Sequence, residues 1–146
     1  MLLLLLACAL SRPFEGPGFE DGAFVSDHPG PFVVAATYAR TAPGHNAPFQ
    51  DHVGAIDDEI ADAEGLVGYA LRGEIGGRDN WTMSIWESEE ALYTFVISPA
   101  HLAAMGEADL LLEDSAFTHW TEADGSALPP TWEEALDRLD RADSAP

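Results

Sequence analysis

The chain has 146 residues, enough for one domain and too few for two of ordinary size. Apolar residues make up 47% of it, so a packed core is within reach and wholesale disorder is excluded. There are 26 Asp and Glu against 6 Lys and Arg, a formal charge of −20. Such a field repels phosphate backbones, which excludes nucleic acid as a partner. The alternating Asp/Asn pattern of a calcium loop is missing, so the acid excess reads as a solubilising surface.

Residues 1–10, MLLLLLACAL, form an apolar run too short to span a bilayer, which takes about 20 residues. Leu5-Leu6-Ala7-Cys8 resembles the lipobox of bacterial lipoproteins: a leucine three before the cysteine, a small residue directly before it, and the one cysteine of the chain. The resemblance implies cleavage before Cys8, a lipid on its thiol, and a place on the bacterial envelope facing the periplasm or exterior. It departs from the pattern because no Lys or Arg precedes the run. A cytoplasmic protein with an ordinary apolar terminus is the alternative. Residues 11–31 carry Pro13, Pro17, Pro29 and Pro31 among glycines and read as a linker, or an arm lying on the domain.

Phe32 to Arg40 is β-branched and aromatic, and reads as a strand. A helix is expected over Ala47 to Glu64, with Phe49, Val53, Ile56, Ile60 and Ala63 on one stripe and Gly65 at its end. Leu66 to Glu74 reads as a second strand and Ile75 to Asn80 as a hairpin turn. Trp81 to Trp86 alternates, with Trp81, Met83 and Ile85 on one face and Thr82, Ser84 and Trp86 on the other.

Ser88 is placed to cap a helix that opens with Glu89 and Glu90, passes Ser98-Pro99 and His101, and ends at Gly106. A short helical piece, Ala108 to Leu112, precedes the last strand, Ala116 to Thr121. Thr131 caps a final helix, Trp132 to Arg141. The order predicts an α+β, ferredoxin-like βαββαβ domain over 32–142, with a four-stranded antiparallel sheet, an extra C-terminal helix and a tail at 143–146. Helices cover one sheet face. A second copy, a ligand or the linker must cover the other.

Ser84 to His101, SIWESEEALYTFVISPAH, resembles the signature of the dimeric α+β barrel superfamily, which includes antibiotic-biosynthesis and haem-degrading monooxygenases. Ser98 to His101, His119-Trp120 and Pro130 to Leu139 (PTWEEALDRL) are similar to a branch related to spheroidene monooxygenase. The resemblance implies a homodimer and oxygenation of a small apolar molecule, cofactor-independent or haem-assisted. The arginine-rich run of that branch is replaced by the acidic and apolar Leu102 to Asp114. Aligned with haem-degrading relatives, Phe95 takes the Trp position, Met105 falls near the His position, and Phe32 to Arg40 lacks the Asn. Haem degradation of that kind is not expected.

His101 is the candidate base or haem ligand, against a structural histidine closing its helix. Tyr38, Trp86, Phe95, Met105 and Trp120 are candidate pocket residues, against plain core. His45 and His52 lack a third ligand, so no metal site is expected; His119 reads as a strand residue and His28 as part of the linker. Glu87 and Glu90 are helix-start charges. Two functions remain open: a small-molecule oxygenase, and a non-enzymatic dimeric envelope lipoprotein. A cavity reached by His101 would favour the first; solid packing there would favour the second.

Overall fold

The computed structural model describes residues 9–143, so Cys8 and the residues before it lie outside the described residues. The elements are β1 (Ala9–Ser11), β2 (Phe19–Glu20), β3 (Ala23–Phe24), β4 (Phe32–Thr41), α1 (Asn46–Ile60), β5 (Leu66–Glu74), β6 (Asp79–Trp86), α2 (Glu89–Val96), α3 (Pro99–Leu111), β7 (Leu112–Glu122) and α4 (Trp132–Asp143). The expected strands lie side by side as β5–β6–β4–β7, all antiparallel, which is the ferredoxin-like order. A fifth strand from the arm, β1, extends the sheet beyond β5.

Strand alternation divides the core in two. Val33, Ala35, Leu66, Tyr69 and Trp86 face α1 and α2, together with Ile60 and Leu92. Phe32, Val34, Ala36, Val67, Met83, Ile85 and Trp120 face the other way. The expected alternation of β6 holds: Met83 and Ile85 sit in one cluster and Trp86 in the other. Each large side chain fully buried here contributes about 1.5–3 kcal/mol.

The second face is covered by the chain itself. Phe14 and Phe19 of the arm, and Ala135 and Leu139 of α4, are buried in its cluster. The segment expected as linker or surface arm is thus part of the core. Phe14 stacks on Phe19 at 5.1 Å, Phe19 meets Phe24 edge-on at 5.7 Å, and Phe24 meets Phe32 edge-on at 5.5 Å. Backbone bonds from Arg12 N to Leu71 O (2.8 Å), Glu15 N to Tyr69 O (3.0 Å) and Gly18 N to Val67 O (2.8 Å) fasten the arm along β5. Those bonds satisfy strand groups that an open edge would leave unpaired.

Several boundaries differ from expectation. The first helix ends at Ile60, a turn before Gly65. The helix expected to run through Ser98-Pro99 breaks there, and Pro99 opens α3 at a position where its missing N–H costs nothing. Gly106 does not stop α3, which continues to Leu111. Strand β7 begins at Leu112, four residues early, because Leu112 to Ser115 pair with Thr41 to Ala39.

Candidate functional site

On the helix-covered face, Trp86 is fully buried, and its indole N–H donates to Ser84 Oγ at 2.8 Å. Phe95 stacks on it at 5.2 Å, and His101 meets Phe95 edge-on at 5.6 Å. These three expected residues form one column between sheet and helices. The Nδ1 atom of His101 is buried with no hydrogen-bond partner. Burial lowers the His101 pKa, with the Val96 backbone and the charge of Glu59 pulling the other way. The shift favours the neutral imidazole.

The start of α3 is held by a carboxylate of α1. Glu59 Oε2 accepts from Ser98 Oγ at 2.6 Å and from the Ala100 amide at 3.0 Å. A carboxylate from a neighbouring helix thus caps α3, since the Ser98 side chain makes no cap bond of its own. Glu59 could not be found from sequence because the cap is not local.

Tyr38 and Trp120 belong to the opposite face. The reason is register: Tyr38 lies between Trp81 and Ala116, and Val34 between Ile85 and Trp120, on the side away from α2. Met105 is 54% exposed on α3 and lines neither group. The expected pocket set is therefore split by the sheet: His101, Phe95 and Trp86 come together, while Tyr38, Trp120 and Met105 do not join them.

Two clefts stand out among the described residues, and His101 lines neither. The first, about 390 Å³, lies between the sheet and α4. Its floor is the rung Trp81–Tyr38–Ala116, with Leu136 and Leu139 on the helix side and Asp79, Asp114, Asp140 and Asp143 around it. The rings of Tyr38 and Trp81 lie 5.7 Å apart. Tyr38 donates to Asp79 Oδ1 at 2.7 Å. Burial, then the Asp79 bond and its charge, push the Tyr38 pKa up to about 12, so the phenol stays protonated and acts as a donor. The second cleft, about 290 Å³, lies under the arm beside Gly18, His28, Val67 and Glu87.

The other histidines are engaged locally. His45 Nδ1 lies 3.0 Å from Pro43 O, His52 Nε2 3.0 Å from Glu107 Oε2, and His119 Nε2 3.5 Å from Glu89 Oε1. His28 meets Phe32 edge-on. Among the described residues, no group of three or more His, Cys, Asp or Glu could hold a metal ion.

The family profile for antibiotic biosynthesis monooxygenases matches residues 31–107, which is 77 of the 146 residues. The chain belongs to the antibiotic biosynthesis monooxygenase family. No curated protein matches the sequence. Among solved structures, Rv0793 from Mycobacterium tuberculosis superposes with TM-score 0.59 at 19% identity, covering 65% of this chain and 98% of that one. PA3566 from Pseudomonas aeruginosa gives TM-score 0.57 at 17% identity, covering 66% and 98%. SnoaB, a cofactor-independent oxygenase from Streptomyces nogalater, gives 0.51 at 16%, covering 67% and 97%. At these identities the likeness is one of fold. These neighbours are matched almost end to end, whereas about a third of this antibiotic biosynthesis monooxygenase family member has no counterpart in them. The family match starts where the arm ends and stops before α4.

Proposed function

We propose that this member of the antibiotic biosynthesis monooxygenase family binds a small apolar molecule in the groove between its sheet and α4, and oxygenates it without metal, flavin or haem. The observation that carries the proposal is the groove itself: about 390 Å³, within the size range of ligand sites, and floored by two aromatic rings. In such chemistry a base takes a proton from an activated CH₂, and the carbanion reduces dioxygen. The resulting hydroperoxide loses water to leave a carbonyl, so that CH₂ and O₂ become C=O and H₂O. The packed column at His101 favours the structural role on the helix-covered face; the groove on the opposite face, together with the kinship to a cofactor-independent oxygenase fold and the spheroidene-related tail motif, supports the oxygenase class.

Quinoline, neutral at pH 8, is a suitable probe. Titration should quench tryptophan fluorescence through Trp81, and Ala116→Phe should abolish the effect by filling the floor. Quenching that survives Ala116→Phe would overturn the assignment.

A second reading keeps His101 as the base, favoured by its buried, unpartnered Nδ1. Substrate would then have to enter beside Phe95, where the column is packed.

Envelope anchoring through Cys8 is part of the same proposal, with a cytoplasmic location as its rival. The expected tether is absorbed by the fold: Ala9 already pairs with Glu74. A lipid on Cys8 would hold the sheet edge directly at the bilayer. Labelled palmitate should enter the wild type and not Cys8→Ser. A homodimer would use a surface other than the two covered sheet faces, such as the exposed Leu102, Met105 and Leu110 of α3.

A further inference from the structure

We infer that the groove selects an organic cation with a flat apolar body, such as an aromatic ammonium or a quaternised heterocycle. This rests on the groove being the ligand site and goes further by fixing the sign of the ligand's charge. The chain has six basic side chains, all arginine, and the structure accounts for each. Arg12 pairs with Asp57, Arg78 with Glu113, Arg138 with Glu134 and Arg141 with Asp137. Arg40 spans Asp79 and Glu113 at 3.6 Å each. Arg72 lies between two indoles, 5.6 Å from the Trp81 ring and 5.8 Å from Trp132.

Among the described residues, Asp79 has Arg40 within ion-pair distance, whereas Asp114 and Asp143 have no arginine there. Among the described residues no arginine lines the groove itself. Asp114 and Asp143 are exposed to solvent, where a cationic ligand can reach them. The floor suits the same ligand. Aromatic faces attract cations; Arg72 already lies over Trp81, so the Tyr38 ring is the face offered to the ligand. The Tyr38 hydroxyl is turned to Asp79, so it presents no ionised phenolate and leaves its ring for stacking. A protein of −20 also draws cations toward the cleft over longer range.

The test compares quinoline with N-methylquinolinium, of nearly the same shape, by calorimetry at pH 8 and low salt, on the full chain. The cation should bind about tenfold more tightly, and the advantage should shrink with added sodium chloride. Asp114→Asn with Asp143→Asn should remove most of that advantage, read as the ratio of the two affinities within the same variant. Ala116→Phe, or Leu136→Trp from the helix side, should abolish both ligands. Equal binding of the two probes would overturn the charge preference and leave the groove standing. Binding of neither would overturn both. Cation binding that persists in both filled-groove variants would mean diffuse surface attraction and would overturn the inference.

Discussion

Glu59 of α1 caps α3 through Ser98: one carboxylate oxygen accepts the Ser98 hydroxyl at 2.6 Å and the Ala100 amide at 3.0 Å. The contact ties α1 to the helix that carries His101. Glu59→Ala should cost about 1–2 kcal/mol in urea unfolding, the usual cost of a lost cap. Glu59→Gln, which keeps an acceptor, should cost less than half of that. Equal losses in the two variants would mean that charge rather than the hydrogen bond holds the junction.

His101 should leave a mark on the pH dependence of stability. Its pKa in the folded protein is lowered, so the unfolded chain takes up a proton first as pH falls. Above about pH 7 the group contributes no slope. Below the ordinary histidine value of about 6.5, stability should fall with pH until the folded-state imidazole also titrates. His101→Gln should flatten that part of the curve. An NMR titration should place the His101 midpoint below the ordinary value; a midpoint above it would contradict the assignment.

The buried Trp86 and the half-buried Ser84 are bonded within one strand. Ser84→Ala leaves the indole N–H of a fully buried ring without a partner and should cost about 1–3 kcal/mol. Trp86→Ala also removes the surface on which Phe95 stacks and should cost about 3–5 kcal/mol. Thermal unfolding of both variants checks the order.

The arm should come loose on a single methyl. A Cβ on Gly68 would run into the ring of Phe19 and crowd Glu15 O at 3.0 Å. Gly68→Ala should therefore displace the arm, at about 1–3 kcal/mol, and speed chymotryptic cleavage at Phe19 and Phe24. Combined with Phe19→Ala, which removes the obstructing ring, the glycine substitution should cost much less than alone. An unchanged cleavage rate in Gly68→Ala would contradict the packing of the arm.

Much of this fold was legible in the residues. The alternation of β6, the Ser88 cap, seen in the bond from Ala91 N to Ser88 Oγ at 3.1 Å, and the βαββαβ order all follow from local pattern. What stayed hidden depends on contacts between distant segments. Prolines and glycines in the arm gave no period, so the burial of Phe14 and Phe19 along β5 had no local signal. Tyr38 and Trp86 fell into one imagined pocket because both sheet faces are apolar. Only register decides that Val33 lies opposite Trp86 while Tyr38 lies opposite Trp81. Phe95 comes to lie on Trp86 because α2 follows directly on the end of β6.

The most direct test of the ligand site is an NMR map of the full chain with quinoline. The groove assignment predicts shifts concentrated at Tyr38, Trp81, Ala116 and Leu139, with Trp86, Phe95 and His101 unmoved. Shifts centred on Trp86, Phe95 and His101, with the groove silent, would contradict it and move the site to the helix-covered face.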